Sequence, residues 1–244
     1  MIAIQTKKLT KQYKDKIAVD ALDLEIEQGE LVSLLGMNGA GKSTTIKMLS
    51  CLVEPTSGDA WLHGNSIISN KLKVKELINV SPQETAVAPN LTVRENLELI
   101  AGLYGCPRAE AKQKAADSIQ AFGFGSIANK RAATLSGGWQ RRLSIAMALI
   151  SNPRILFLDE PTLGLDILAR RELWHMVEQL KGKMTIILTT HYLEEAAALS
   201  DRIGIIANGR LKAFGTVQEL TQLTNTNSLE DAFLKVAAEG GLPS

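Results

Sequence analysis

The sequence predicts an α/β fold with an antiparallel β segment at its start and a block of helices inserted in its middle. Three observations carry this. Short apolar runs at Leu31–Leu35, Ile155–Leu158 and Thr185–Thr189 have the length and composition of fully buried strands. Leu22, Leu24 and Ile26 alternate with Asp23, Glu25 and Glu27, as on a half-exposed antiparallel strand. From Asn90 to Phe122 alternation is absent and the pattern is helical, which reads as a separate helical part of an α/β chain. At 244 residues the chain can fill one core and carry such an insertion.

In order along the chain, Ile2 and Ile4 open a first strand, and Leu9–Lys14, including Tyr13, is expected to be the loop that leads to the second. Tyr13 could stack on a purine ring or simply close a sheet edge. Gln28-Gly29 is a turn. Leu31–Leu35 then feeds Gly36-Met37-Asn38-Gly39-Ala40-Gly41-Lys42-Ser43-Thr44, which fits the pattern G-x-x-x-x-G-K-[ST]. Ile46, Met48, Leu49 and Leu52 follow at helical spacing, so the nine residues stand between a strand and a helix, the context a phosphate loop needs. The glycines let backbone N–H groups turn toward phosphate oxygens, and the helix N-terminus adds a positive dipole end. In that reading Lys42 reaches the β- and γ-phosphates and the Ser43 hydroxyl ligates Mg²⁺. A chance match in a glycine-containing turn is the alternative.

Glu54–Gly58 is expected to end this helix, with a short strand at Ala60–Leu62 and another at Leu77–Ser81. The latter puts Gln83 at a strand's C-terminal end, where open α/β sheets place ligand contacts, although a lone Gln there is more often solvated. Thr92 and Glu95 form a capping box for the first helix of the inserted block, Cys106-Pro107 breaks it, and Arg108–Phe122 is a second helix. Ser136, Gly137 and Gly138 open a further helix; they are an anion site in principle and an ordinary cap more commonly. Ile155–Leu158 ends in Asp159-Glu160. Two acids at the end of a buried strand are costly unless a cation faces them. In a phosphate-loop protein Asp159 would hold Mg²⁺, and Glu160 could act as general base on a water. Asp166 caps a helix running to about Lys181, and His191 follows the strand Thr185–Thr189, placed for a terminal phosphate or for a structural role. Asn208-Gly209 signals a type I′ hairpin turn, Thr216 with Glu219 another capping box, and Ser228 the start of an amphipathic tail.

A net charge of +1 gives no general affinity for nucleic acid or anionic lipid, and two cysteines without metal-type spacing suggest reduced thiols. The polar residues that follow Met1 so soon are unlike a signal peptide, and no run approaches the ~20 apolar residues of a membrane helix.

Taken together, Tyr13, the phosphate loop, Gln83, Leu135-Ser136-Gly137-Gly138, Asp159-Glu160, Gly164-Leu165-Asp166 and His191 form one ordered set. In that order the chain resembles, nearly end to end, the nucleotide-binding subunit of ATP-binding cassette (ABC) transporters. That resemblance implies a P-loop NTPase fold as one ATPase domain. Residues 1–88 and 152–220 would form the core with its antiparallel β part, 89–151 the helical and signature part, and 221–244 a tail. It implies ATP and Mg²⁺ as ligands, with Tyr13 on adenine, and Gln83 on Mg²⁺ and the attacking water. Ser136, Gly137 and Gly138 would meet the γ-phosphate held by a second copy, Asp166 would cross the interface, and His191 would hold the γ-phosphate. The partners implied are a second copy or similar ATPase subunit and a separate transmembrane permease, at the cytoplasmic membrane face, with no nucleic acid. His191–Ala196 and Leu229–Leu234 look like the exporter branch that includes drug-efflux and sodium-extrusion subunits. A soluble cassette ATPase acting on nucleic acid or the ribosome is the competing reading. It fits less well, because such proteins usually carry two cassettes, coiled-coil arms or basic extensions. Trp139 departs from the family's usual Gln. It is expected to be exposed in one chain and buried against a second, the alternative being permanent packing under the helix from Gln140 to Ile150.

Overall fold

The computed structural model describes residues 1–238. The chain opens with two long antiparallel strands, β1 (Ile2–Tyr13) and β2 (Lys16–Glu27), joined by the tight turn Lys14-Asp15. Tyr13 is thus the last residue of a strand, a correction to the loop expected at Leu9–Lys14. The polar run hid the strand because β1 is paired on both sides, to β2 and to β4 (Ser57–Leu62). Backbone pairing, not apolar alternation, stabilises its outer half. With β5 (Asn65–Ser66) these form a four-stranded antiparallel sheet in the order β2-β1-β4-β5.

The second sheet contains β3 (Leu31–Leu35), β6 (Ile78–Ser81), β7 (Ile155–Asp159), β8 (Thr185–Thr190), β9 (Arg202–Ala207) and β10 (Arg210–Gly215) in the order β10-β9-β3-β8-β7-β6. All neighbours are parallel except β9 and β10, a hairpin whose Asn208 (φ 51°) and Gly209 (φ 78°) are both left-handed, as a type I′ turn requires. Every residue of β3, β7 and β8 is buried, the pattern of parallel strands covered on both faces.

Around the sheets lie α1 (Lys42–Leu49), α2 (Lys71–Leu77), α3 (Val93–Leu103), α4 (Arg108–Ala121), α5 (Gly137–Leu149), α6 (Ile167–Glu178), α7 (Leu193–Leu199), α8 (Val217–Thr224) and α9 (Leu229–Ala238). Both capping boxes form: Thr92 and Glu95 at α3, Thr216 and Glu219 at α8. Helix α1 ends earlier than expected, at Leu49, so Leu52 lies beyond it and is 67% exposed. Helix α6 stops at Glu178, short of Lys181. Helix α2 has no counterpart in the sequence expectations: its stretch KLKVKEL buries only Val74, so no apolar face marks it. Residues 239–244 of the expected tail lie outside the described residues.

Apolar side chains collect in distinct clusters. One joins the antiparallel sheet to α1 and the parallel sheet, through Ile4, Leu24, Met48 and Phe157 among others. A separate one holds α3, α4 and α5 together around Leu97, Ile119, Phe124 and Leu143. Two more pack α6 and α7 and the C-terminal helices against the parallel sheet.

Candidate active site

The C-terminal ends of four adjacent parallel strands meet at one cleft. Each delivers a different group: β3 the phosphate loop, β8 His191, β7 Asp159 and Glu160, and β6 Gln83. The register sets them level, Leu35 opposite Thr190, Asp159 opposite Thr189 and Ser81 opposite Leu158. The crevice beyond the carboxyl ends of such strands is where α/β sheets bind ligands. It encloses about 500 Å³ and is lined by Tyr13, Asn38–Thr44, Gln83, Glu160 and His191, together with Lys16, Ala18 and Leu163.

Within the phosphate loop, Gly39 (φ 83°) and Gly41 (φ 109°) are both left-handed, and a Cβ on Gly41 would lie 2.4 Å from the Ala18 carbonyl oxygen. That position admits no side chain. Gly36 and Met37 do not line the cleft: Gly36 packs against the Ile206 carbonyl, and Met37, 68% exposed, faces a pocket on the far side of the loop beside Phe233. Their carbonyls are nevertheless used, because the Lys42 ammonium donates to Gly36 O at 2.7 Å and Met37 O at 3.2 Å.

The charged centre is compact and buried. Lys42 Nζ lies 3.3 Å from Glu160 Oε1, and His191 Nδ1 lies 3.4 Å from Glu160 Oε2. Lys42, Asp159 and Glu160 are each less than a tenth exposed. Asp159 takes a different set of partners: Oδ1 accepts from the Ser43 hydroxyl at 3.0 Å and from the Thr189 hydroxyl at 2.5 Å. The two acids are separated by backbone geometry. Glu160 is left-handed (φ 45°), which turns its side chain away from that of Asp159. Such a conformation in a non-glycine residue persists only when its surroundings hold it. Here the Glu160 N–H donates to both the carbonyl and the hydroxyl of Thr189, at 3.1 and 3.0 Å. Thr189 therefore accepts from Glu160 and donates to Asp159. The sequence reading missed it; the only signal was a hydroxyl, one of three threonines in that buried strand.

Ser43 and Asp159 supply adjacent hard oxygens, a donor set suited to Mg²⁺, which typically takes one or two protein oxygens and completes its shell with phosphates and water. No group of three or more His, Cys, Asp or Glu side chains arranged for a metal occurs among the described residues.

Ser136, Gly137, Gly138 and Asp166 are not brought to this cleft. Ser136 stands at the N-cap of α5, exposed, and its hydroxyl makes no cap bond, unlike an ordinary cap serine. Gly138 lets α5 approach α6: a Cβ there would sit 2.9 Å from Ala169 Cβ. Asp166 caps α6, accepting from Ala169 N–H at 2.8 Å, and the next two residues, Ile167 and Leu168, are 70% and 75% exposed. Trp139 is half-buried in the single chain, edge-on to Phe124 with ring centroids 6.0 Å apart and with the Arg142 guanidinium 4.2 Å over its face. The largely exposed indole expected from sequence is replaced by one packed on the helical cluster.

A second residue that the sequence reading missed is Arg141, buried on α5. It donates to the carbonyls of Pro82, at 2.5 Å, and Gln83. Nothing in the local sequence separates it from its neighbour Arg142, which reaches α6 through Glu172 at 3.2 Å.

A sequence model of the family described as ABC transporter matches residues 19–163. The daunorubicin/doxorubicin resistance ATP-binding protein DrrA of Streptomyces peucetius is 42% identical over 242 residues, which is 97% of this chain and 73% of that protein. Among solved structures, an ATP-binding subunit of an ABC transporter superposes with a TM-score of 0.84 at 30% identity, covering 96% of this chain and 99% of the other. The cassette MJ0796, solved as a dimer in a post-hydrolysis state with ADP and Pi, gives 0.78 at 27% identity over 87% of this chain and 98% of its own. The strand-end cleft, the sequence match and the superpositions agree: this chain belongs to the ABC transporter family and is its ATP-binding cassette, an ATPase.

Proposed function

We propose that the chain is the motor subunit of a membrane exporter, in which two copies close head-to-tail around two Mg·ATP and drive a separate transmembrane permease from the cytoplasmic face of the membrane. One observation carries this. Five of the seven landmarks of the ordered set converge on the cleft, while Ser136, Gly137 and Asp166 stand exposed, and Gly138 half-buried, outside it. An exposed serine hydroxyl and the free N–H groups of a 13-residue helix suit a phosphate held by a second copy. Leu163, Ile167 and Leu168, exposed beside Asp166, supply apolar surface for that interface. The dimeric state of MJ0796 and the drug-resistance name of DrrA support the pairing and the direction of transport. No helix among the described residues is long and apolar enough to cross a membrane, which suits a motor that works through another chain. In this reading residues 1–88 and 152–220 are the nucleotide-binding core, and residues 89–151 carry the signature and face the permease.

The contacts support a role for each residue of the site. Tyr13, at the cleft's edge, stacks on adenine. Backbone N–H groups of Gly39–Thr44 cradle the phosphates. Ser43 and Asp159, with Gln83 nearby, would hold Mg²⁺, which when bound would supply positive charge against that developing on the phosphates. Lys42 meets the β- and γ-phosphates. Glu160 then accepts a proton from the attacking water, with His191, within 3.4 Å of it, steering the γ-phosphate and that water. The test is Glu160→Gln. It should bind ATP, lose roughly 10²–10⁴ in turnover and double in mass by light scattering when Mg·ATP is added. Near-normal hydrolysis would move the base elsewhere, and an unchanged mass would remove the pairing.

A further inference from the structure

Helix α5 begins at the signature and sends three consecutive side chains in different directions. Gln140 reaches back, its amide donating to the carbonyls of Ala132 at 3.1 Å and Leu135 at 3.2 Å, and so secures the turn before Ser136. Arg142 ties the helix to α6. Arg141 points inward, 4% exposed, and spreads its two terminal nitrogens over the carbonyls of Pro82 and Gln83. Those carbonyls belong to the start of the loop between β6 and α3. The loop's other end is gripped by Asn96 of α3, fully buried, whose amide oxygen accepts from Ala88 N–H at 2.8 Å and whose nitrogen donates to the carbonyls of Ala88, Leu91 and Thr92. Among the described residues no hydrogen bond reaches residues 84–87 between the two grips, and Arg141 is the one hydrogen-bonding partner of Gln83.

A buried guanidinium is an expensive way to fill space. Arg141 forms no salt bridge among the described residues, and an apolar side chain of similar length would pack there at lower cost. Burial lowers its affinity for the proton, while the charge of Asp159 opposes this, so the field of the active-site strand helps to keep it cationic. What an arginine provides and an apolar residue does not is a rigid planar fork that holds two carbonyls at once. We propose that Arg141 is a positioning residue. It fixes Gln83 at the mouth of the nucleotide cleft and makes that position follow the helix whose first residues are the signature glycines. A movement of α5 against a second copy would then be delivered to the cleft at Gln83, through two hydrogen bonds rather than through general packing. The proposal rests on the reading of Gln83 as a residue that acts at the nucleotide.

The test is a double-mutant cycle on the full chain, measuring steady-state turnover and KM for ATP with Mg²⁺ present. Misplacing a catalytic group by about 1 Å costs up to ~10²-fold in rate. Arg141→Met should therefore lower kcat by about 10- to 100-fold with KM for ATP within about twofold of wild type, the split expected when an interaction specific to the transition state is lost. Gln83→Ala should lower kcat to a similar extent, and the double variant no further, because Arg141 acts only through Gln83. Arg141→Lys, which keeps the charge but not the fork, should fall between wild type and Arg141→Met; it carries the cycle if Arg141→Met does not fold by circular dichroism. If Gln83→Ala lowers kcat while Arg141 substitution leaves it unchanged, or if the two effects multiply, the Arg141 proposal is overturned and Gln83 keeps its role. If Gln83→Ala leaves kcat unchanged, the reading of Gln83 falls and the proposal with it.

Discussion

Glu195 of α7 is fully buried, yet it is a carboxylic acid with few partners. Its Oε1 accepts from the Trp174 indole at 3.0 Å, while Oε2 has no partner at ordinary hydrogen-bond geometry. Burial pushes its pKa above the usual carboxylate range; the hydroxyls of Thr190 and Thr162, the Trp174 indole and the Arg170 charge oppose this without cancelling it. The consequence for stability has a definite sign. Below the unfolded pKa of about 4.3 the group is neutral in both states and costs nothing. As pH rises the unfolded chain ionises first, and the native state loses about 1.4 kcal/mol per pH unit until the folded pKa is passed, after which the loss is constant. Glu195→Gln keeps the volume and the acceptor for Trp174 but cannot ionise. The variant should match wild type near pH 4.5 and exceed it as pH rises, the gap levelling once the folded pKa is passed. For a chain of this size 1.4 kcal/mol corresponds to about 3–6 °C in Tm. Thermal melts of both proteins across that range measure the gap directly. A gap that does not change with pH, or a variant that is less stable at pH 8, would refute the reasoning and mean that Glu195 is ionised in the fold, with Arg170 as its partner.

Three further outcomes follow from the site. Lys42→Ala removes the ammonium that faces Glu160 and the phosphate loop, so ATP affinity by calorimetry and turnover should both fall by about tenfold or more; unchanged affinity would contradict the phosphate site. Gly41→Ala forces a side chain into a left-handed position 2.4 Å from the Ala18 carbonyl, so nucleotide binding should be lost while far-ultraviolet circular dichroism stays close to wild type. Trp139→Ala should cost about 1–3 kcal/mol in chemical denaturation because the indole is half-buried on Phe124, less than for a fully buried aromatic; unchanged stability would return Trp139 to the role of an exposed side chain that waits for a second copy.

What the sequence made legible was local. The phosphate loop, both capping boxes and the Asn208-Gly209 turn are each decided by a few adjacent residues, and each forms where the residues say it should. Strand ends are legible for a related reason: an apolar run that stops at Asp159, at His191 or ahead of Gln83 marks where the sheet meets solvent. The rest depends on partners far along the chain. The strand Leu9–Tyr13 is polar and is held by two neighbouring strands, and α2 buries one side chain. Thr189 and Arg141 matter through atoms 30 and 58 residues away, and nothing in their own neighbourhood says so. The packing of Trp139 was open for the same reason, since it depends on Phe124 from a different helix connection.

The central claim is that each hydrolytic site is built from the phosphate loop of one copy and the signature of another, and it can be tested by mixing two inactive variants. Lys42→Ala destroys the phosphate loop and spares the signature. Ser136→Arg blocks the signature at an exposed position with no internal bond, so the fold is untouched. In a head-to-tail pair containing one of each, one site combines two damaged halves and the other combines two intact ones. Half of randomly formed pairs are mixed and each has one good site of two, so an equimolar mixture should recover about a quarter of wild-type ATP turnover, far above either variant alone. Activity in the mixture no greater than the average of the two variants measured separately would contradict the shared site.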